Sequence, residues 1–88
     1  MKIYYSSKFA REYRKLPLSV KKIAEGKEQI FRENPFEDSL KTHKLKGGLK
    51  GLYSFSINKD YRIIFEIKDK QEFWFHSVGT HDIYKLWD

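Results

Sequence analysis

The spacing of apolar residues changes at Asn34-Pro35, and with it the kind of structure the chain can form. Upstream, Phe9, Ala10, Tyr13 and Leu16 recur at intervals that place them on one helical face, as do Val20, Ile23, Ala24, Ile30 and Phe31. Lys27 lies at the edge of the second stripe, where its stem can snorkel. The first stripe predicts a helix over 8–16, opened by a Ser6 or Ser7 cap and stopped by Pro17. The second predicts a helix from Leu18 or Ser19 to Asn34-Pro35, since the residue before a proline is pushed out of helical space. Gly26 weakens this helix without ending it. So tight a break between the two implies a helical hairpin.

Downstream the period is two. Residues 49–57 alternate, with Tyr53, Phe55 and Ile57 on one face and Leu52, Ser54 and Ser56 on the other. Residues 61–68 place Tyr61, Ile63, Phe65 and Ile67 on one face, and 72–78 form a last strand that Gly79 breaks. Asn58-Lys59-Asp60 and Asp69-Lys70-Gln71 supply the turns. The β-rich run 2–5 is a first strand, 36–42 a connector, 43–48 a basic loop, and 80–88 a tail carrying Tyr84, Leu86 and Trp87. The order β-α-α-β-β-β predicts an α+β fold, with a helical hairpin on one face of a twisted antiparallel sheet. The other face is expected to be free, carrying Ser54, Ser56, Arg62 and His76.

The chain has 88 residues, enough for a single domain over 1–88. Seven Phe, six Tyr and two Trp supply the bulk for a core in so short a chain. There is no cysteine, which excludes disulfides, thiolate zinc sites and thiol nucleophiles. No apolar run is long enough for a transmembrane helix or a secretory signal, so a cytoplasmic protein without a membrane partner is expected. Lys plus Arg number 18 against 12 Asp plus Glu, a net charge of +6 that suits a polyanionic partner or simply keeps the protein soluble.

Several residues could carry chemistry. His43 lies in THKLKG among Lys44, Lys46 and Lys50, with glycines at 47, 48 and 51 that let a backbone approach a phosphate. In isolation it reads as an ordinary loop histidine. Arg62 opens the strongest strand on its polar face, either as a cross-strand partner of a carboxylate or as a guanidinium clamp on a phosphate. Asp60 reads equally as a turn aspartate. His81 follows the last strand in VGTHD, at a position suited to catalysis or to capping the tail. His76, flanked by rings, reads as a packed strand histidine, and a metal site from His43, His76 and His81 is disfavoured by the spacing. Of the rings that could stack on bases (Tyr53, Tyr61, Tyr84, Trp74 and Trp87), most are expected in the core and at most Tyr84 and Tyr61 are expected to be functional. No phosphate loop, nucleophile elbow or dinucleotide fingerprint is present.

The blocks KFAREYRKLP, KTHKLKGGLKGLYSFSINKDYRIIFEI and HSVGTHDIY together resemble the RelE/ParE superfamily of type II toxins. The resemblance spans nearly the whole chain and is strongest to the branch of RelE- and YafQ-like messenger-RNA endonucleases. It implies a toxin that enters the ribosomal A site, cuts the message there, contacts ribosomal RNA, and is blocked by a cognate antitoxin protein. By the same resemblance, His43, Lys46, Asp60, Arg62 and His81 stand at the branch's functional positions, and Tyr84 matches its terminal aromatic after a one-residue gap. Ser56 stands where YafQ-like toxins carry a further histidine.

The implied chemistry uses no cofactor or metal. His43 and His81 form the acid/base pair for attack by the 2′-hydroxyl, histidine being the side chain that titrates nearest neutrality. Lys46 and Arg62 stabilise the phosphorane, Asp60 orients a histidine or the 2′-hydroxyl, and Tyr84 contacts the nucleotide. Lys41, Lys44, Lys50 and Lys59 are the expected phosphate contacts. The competing expectations are a ParE-like inhibitor of DNA gyrase and a non-toxic member that only binds its antitoxin.

Overall fold

The helical hairpin begins with a serine in two roles. Ser6 Oγ accepts the Phe9 amide at 2.9 Å, capping α1 (Ser7–Arg14), and donates to the His76 carbonyl at 3.0 Å, tying the helix start to a strand. Pro17 then opens α2 (Leu18–Glu33), its carbonyl accepting the Val20 and Lys21 amides, both at 3.0 Å. Asn34 is extended (φ −158°), as its place before Pro35 requires. Val20, Ala24 and Phe31 are buried along α2, whereas Leu18 and Ile23 are exposed, so the apolar stripe is narrower than its spacing implied. The computed structural model describes residues 1–87, with side chains up to Lys85; the expected contributions of Leu86 and Trp87 side chains and of Asp88 lie outside the described residues.

Five strands form one sheet in the order β1-β5-β4-β3-β2: β1 (Lys2–Tyr5), β2 (His43–Lys44), β3 (Tyr53–Ser56), β4 (Tyr61–Asp69) and β5 (Glu72–Thr80). The architecture is α+β, with both helices on one face, but the sheet is mixed rather than wholly antiparallel. The helical hairpin carries the chain across the sheet, so β1 meets the last strand in parallel, from Lys2 opposite Glu72 to Tyr5 opposite Phe75. The short β2 strand takes up the start of the expected basic loop; two residues are too few for alternation to be legible. Leu49, expected to start a strand, lies instead in a 3-10 turn, Gly47–Leu49.

The core lies between helices and sheet. Phe31 is fully buried, and its ring centroid is 4.9 Å from Phe55, 5.0 Å from Phe65, and 5.2 Å from both Phe73 and Phe75. One helical ring therefore meets rings from three strands. Among the described residues, no helix is long and apolar enough to cross a membrane.

Two irregularities shape β5. Ile64 pairs with Ser77 but Phe65 with Phe75, so His76 is the extra residue of a β-bulge. The bulge shifts the core face from Phe73 and Phe75 to Val78, which explains why simple alternation stops short of the strand's true end. Where β1 ends, Glu12 covers the outer edge of β5: its Oε1 accepts the Val78 amide at 3.1 Å and Ser77 Oγ at 2.8 Å, and its Oε2 takes Lys8 Nζ at 2.7 Å.

The far face is not free. Leu49, Ile64 and Ile83 are buried there, outside the main core cluster, beneath the Gly47–Leu49 turn and a closing 3-10 turn, His81–Trp87. Gly79 belongs to β5 rather than breaking it. A Cβ at this position would lie 2.5 Å from Ile83 Cγ2, so glycine is required for the tail to fold back against the sheet.

Gly79→Ala is expected to lower unfolding stability by about 1–3 kcal/mol through this overpacking. Urea titration is the check, and pairing it with Ile83→Ala should recover part of the loss. The Glu12 carboxyl yields a second expectation. Burial opposes its charge, but hydrogen bonds from Lys8, Ser77 and Val78 outweigh burial and hold its pKa below the ordinary 4.5. Its ionised form therefore stabilises the fold fully above that value and less as pH falls through the lowered one. Glu12→Gln should be less stable at neutral pH and show a shallower loss on acidification; parallel urea midpoints against pH would exclude this role.

Candidate functional site

The far face is organised in rows. His43, Ser54, Ile64 and Ser77 stand opposite one another across β2 to β5, and Ser56, Arg62 and Gly79 form the next row. Directly opposed residues share a face, with Cβ atoms about 4.5–5.5 Å apart. His43 is exposed, and its Nδ1 lies 3.1 Å from the Lys41 carbonyl. Lys41 itself adopts a left-handed conformation (φ 53°) at the turn that leads into β2.

The closing turn brings in the far end of the chain. Tyr84 donates its hydroxyl to Ser54 Oγ at 3.1 Å, and its ring meets His81 edge-on with centroids 5.8 Å apart. Ser54, the acceptor, is fully buried and stands opposite His43. A continuous path of neighbours thus runs from His43 through Ser54 and Tyr84 to His81. His81 also lines an open hollow of about 440 Å³ with Asp60, Tyr61, Thr80 and Asp82.

Asp60 reaches this hollow through a turn organised by Asn58. Asn58 Oδ1 accepts the Asp60 and Tyr61 amides, both at 2.9 Å. Arg62 Nη1 donates to the Asn58 carbonyl at 2.5 Å and to the Tyr61 carbonyl at 3.0 Å. The guanidinium therefore braces the turn, which neither the clamp nor the carboxylate-pair reading of Arg62 foresaw. Ser56, opposite Arg62, donates to the same Asn58 carbonyl at 3.4 Å. Tyr61 is half-buried and packs against the core as well as lining the hollow.

The lysines divide. Lys46 is exposed and precedes the Gly47–Leu49 turn; Gly47 (φ 69°) and Gly51 (φ 91°) are left-handed, which accounts for glycine at both positions through backbone conformation. Lys50 and Lys59 are exposed at the edges of this region. Lys44 is exposed too, but it stands opposite Tyr53, whose ring packs on the core side at 5.4 Å from Phe65. Alternation therefore turns Lys44 away from the face that carries His43.

His76 belongs to a separate cluster. Its Nε2 lies 2.9 Å from Glu66 Oε1, and its ring is 6.0 Å from Trp74. The His76 hydrogen bond lowers the Glu66 pKa, with burial opposing and the Lys68 charge assisting. Trp74, expected in the core, is exposed beside Tyr4 at 5.6 Å. Among the described residues, no group of three or more His, Cys, Asp or Glu side chains is arranged to hold a metal ion. A second hollow of about 440 Å³, lined by residues including Tyr5, Phe9, Tyr13 and Glu28, contains none of the expected site residues.

Sequence reasoning placed Ser54 on the far face and Asn58 in a turn but gave neither a role in the site. A turn-opening asparagine is a recognisable signal for the second. A small polar residue in an alternating strand gives no comparable signal for the first, because its partner lies 30 residues away.

Solved structures share this architecture. YafQ from E. coli strain BL21(DE3) is 20% identical, with a TM-score of 0.73 over 94% of this chain and 96% of that one. The YoeB/ParE toxin from Agrobacterium tumefaciens is 18% identical, with a TM-score of 0.77 over 92% and 99%. The E. coli DinJ-YafQ toxin-antitoxin complex is matched at 22% identity, with a TM-score of 0.66 over 93% of both chains. No curated protein sequence matches. A family model for YafQ, a bacterial toxin of type II toxin-antitoxin systems, matches residues 1–85, nearly the full length, and the chain belongs to that family.

Proposed function

We propose that this toxin is a ribosome-dependent endoribonuclease that cuts messenger RNA. The observation that carries the reading is the chain of neighbours His43–Ser54–Tyr84–His81, which links an imidazole on β2 to one in the closing turn, with Arg62 in the next cross-strand row. Imidazoles suit both proton transfers of RNA cleavage. One of the pair takes the 2′-hydroxyl proton as that oxygen attacks phosphorus, and the other protonates the departing 5′-oxygen. The products are a 2′,3′-cyclic phosphate and a 5′-hydroxyl.

Positive charge must meet the phosphorane. Arg62 uses Nη1 to brace the turn, leaving Nη2 and Nε to face phosphate, and exposed Lys46 supplies a second cation. Asp60, in the hollow with His81, orients an imidazole or the 2′-hydroxyl, and Tyr84 contacts the nucleotide. Lys41, Lys50 and Lys59 hold message or ribosomal phosphates, and Lys44, turned to the other face, is left to contact ribosomal phosphates. The ribosomal A site supplies the in-line geometry, a contribution worth several powers of ten in rate. A cognate antitoxin blocks this toxin in the cytoplasm; the solved DinJ-YafQ toxin-antitoxin complex supports the antitoxin partner.

His81→Ala is expected to lower cleavage of translated message by about 10²–10⁴-fold, and Arg62→Ala by about 10²–10³-fold. Mapping message ends after induction in a bacterial host lacking the antitoxin is the measurement. Full cleavage by both variants removes the site assignment. Intact message with inhibited DNA supercoiling indicates a gyrase poison, and unimpaired growth a non-toxic binder. Ribosome affinity should fall steeply with salt, and Lys59→Ala should reduce the slope of log K against log salt by about one.

A further inference from the structure

We infer that Ser54 is a positioning residue, which fixes the closing turn over the sheet and, through Tyr84, holds the His81 imidazole. The inference rests on the nuclease reading above and goes beyond it in assigning the element that assembles the site.

Two contacts pin the closing turn, and they lie on different strands. On β5, Gly79 leaves the space that Ile83 occupies: Ile83 is 5% exposed, and its Cγ2 stands where a Cβ would be. This apolar contact fixes where the turn crosses the sheet. It does not fix the direction of the next side chain. On β3, Ser54 supplies that second point by accepting the Tyr84 hydroxyl at 3.1 Å. From β5 the turn thus reaches across β4 to β3, where Tyr84 meets the cross-strand partner of His43.

Tyr84 transmits the constraint. With its hydroxyl on Ser54, its ring stands edge-on to His81, 5.8 Å between centroids. His81 is exposed, and among its ring contacts only this one restrains the imidazole among the described residues. Ser54 is fully buried, so its hydroxyl reaches neither solvent nor substrate directly and acts through Tyr84. A larger residue here would fill the space beneath the ring, and an apolar one of the same size would leave the tyrosine hydroxyl without this acceptor.

The test is a cycle of Ser54→Ala, Tyr84→Phe and the double variant, in the full chain. With ribosomes and message, Ser54→Ala should lower kcat by about 10–100-fold while KM and the thermal midpoint stay near wild type. The double variant should lose no more than Tyr84→Phe alone, because both remove one bond. Wild-type kcat in Ser54→Ala, or losses that multiply, overturns the inference. A second readout needs no cleavage: the His81 ring-proton resonances, displaced by the Tyr84 ring current, should move toward exposed-histidine positions in Ser54→Ala. If the wild-type toxin cuts no message, the nuclease reading fails and the resonances decide the geometry alone; unchanged His81 signals in Ser54→Ala then overturn the positioning role.

Discussion

The contact of Phe31 with four sheet phenylalanines holds the two layers of this protein in register. Its partners Phe55, Phe65, Phe73 and Phe75 come from β3, β4 and β5, so the ring fixes α2 against three strands at once. Three of its contacts are edge-on and one is stacked, so the ring's edge and its face are both engaged. Such packing resists sliding, because displacement in any direction loses contacts with several rings together. On β3, β4 and β5 the far-face rows inherit this rigidity, since each of their residues there adjoins a core residue on the same strand. Ser54 and Ser56 flank Phe55, and Ile64 stands between Ile63 and Phe65.

The bulge at His76 converts that rigid core into a platform for the tail. Before it, odd-numbered β5 residues face the helices; after it, Val78 does, and Gly79 turns to the far face opposite Arg62. Without the extra residue, Gly79 would fall on the helix side and Ile83 would have no slot to enter. The same stretch of β5 loses its β1 neighbour after Phe75, and Glu12 takes the amide that a strand would have taken. A helical carboxylate therefore closes one side of β5, while the tail covers one face of it.

Much of the fold was legible because it depends on local rules. Pro17 and Asn34-Pro35 punctuate the helices, Ser6 caps the first, and alternation identifies Phe55, Ile57, Ile63 and Phe65 as core. What escaped is non-local. The parallel β1–β5 pair, the His43–Lys44 strand and the bulge are defined by partners distant in sequence, and none changes the local pattern enough to be seen. Trp74 illustrates the limit from the other side: rings flank it in sequence, yet alternation sends Phe73 and Phe75 inward and Trp74 out. The candidate site divides in the same way. His43, Asp60, Arg62, His81 and Tyr84 are candidates named from motifs, whereas the buried serine that meets Tyr84 opposite His43, and the turn that occupies the Arg62 head, required coordinates.

The polarity of the far face separates what this chain can organise by itself from what a partner must add. Its apolar contribution is small: Leu49, Ile64 and Ile83 suffice to seat two short turns. The groups above them, His43, Lys46, Asp60 and His81, are exposed. In high dielectric, a cation or imidazole at such a position stabilises developing charge weakly, and the same groups become stronger when water is excluded. On the proposed reading, docking into the ribosome supplies that exclusion and holds the message against the face. The chain's own contribution is then to fix relative positions, with Phe31 setting the strands, the bulge setting Gly79, and Ser54 and Ile83 setting the tail. On that same reading the toxin is poorly equipped to cut isolated RNA, because the low-dielectric half of the proposed site is supplied by the ribosome.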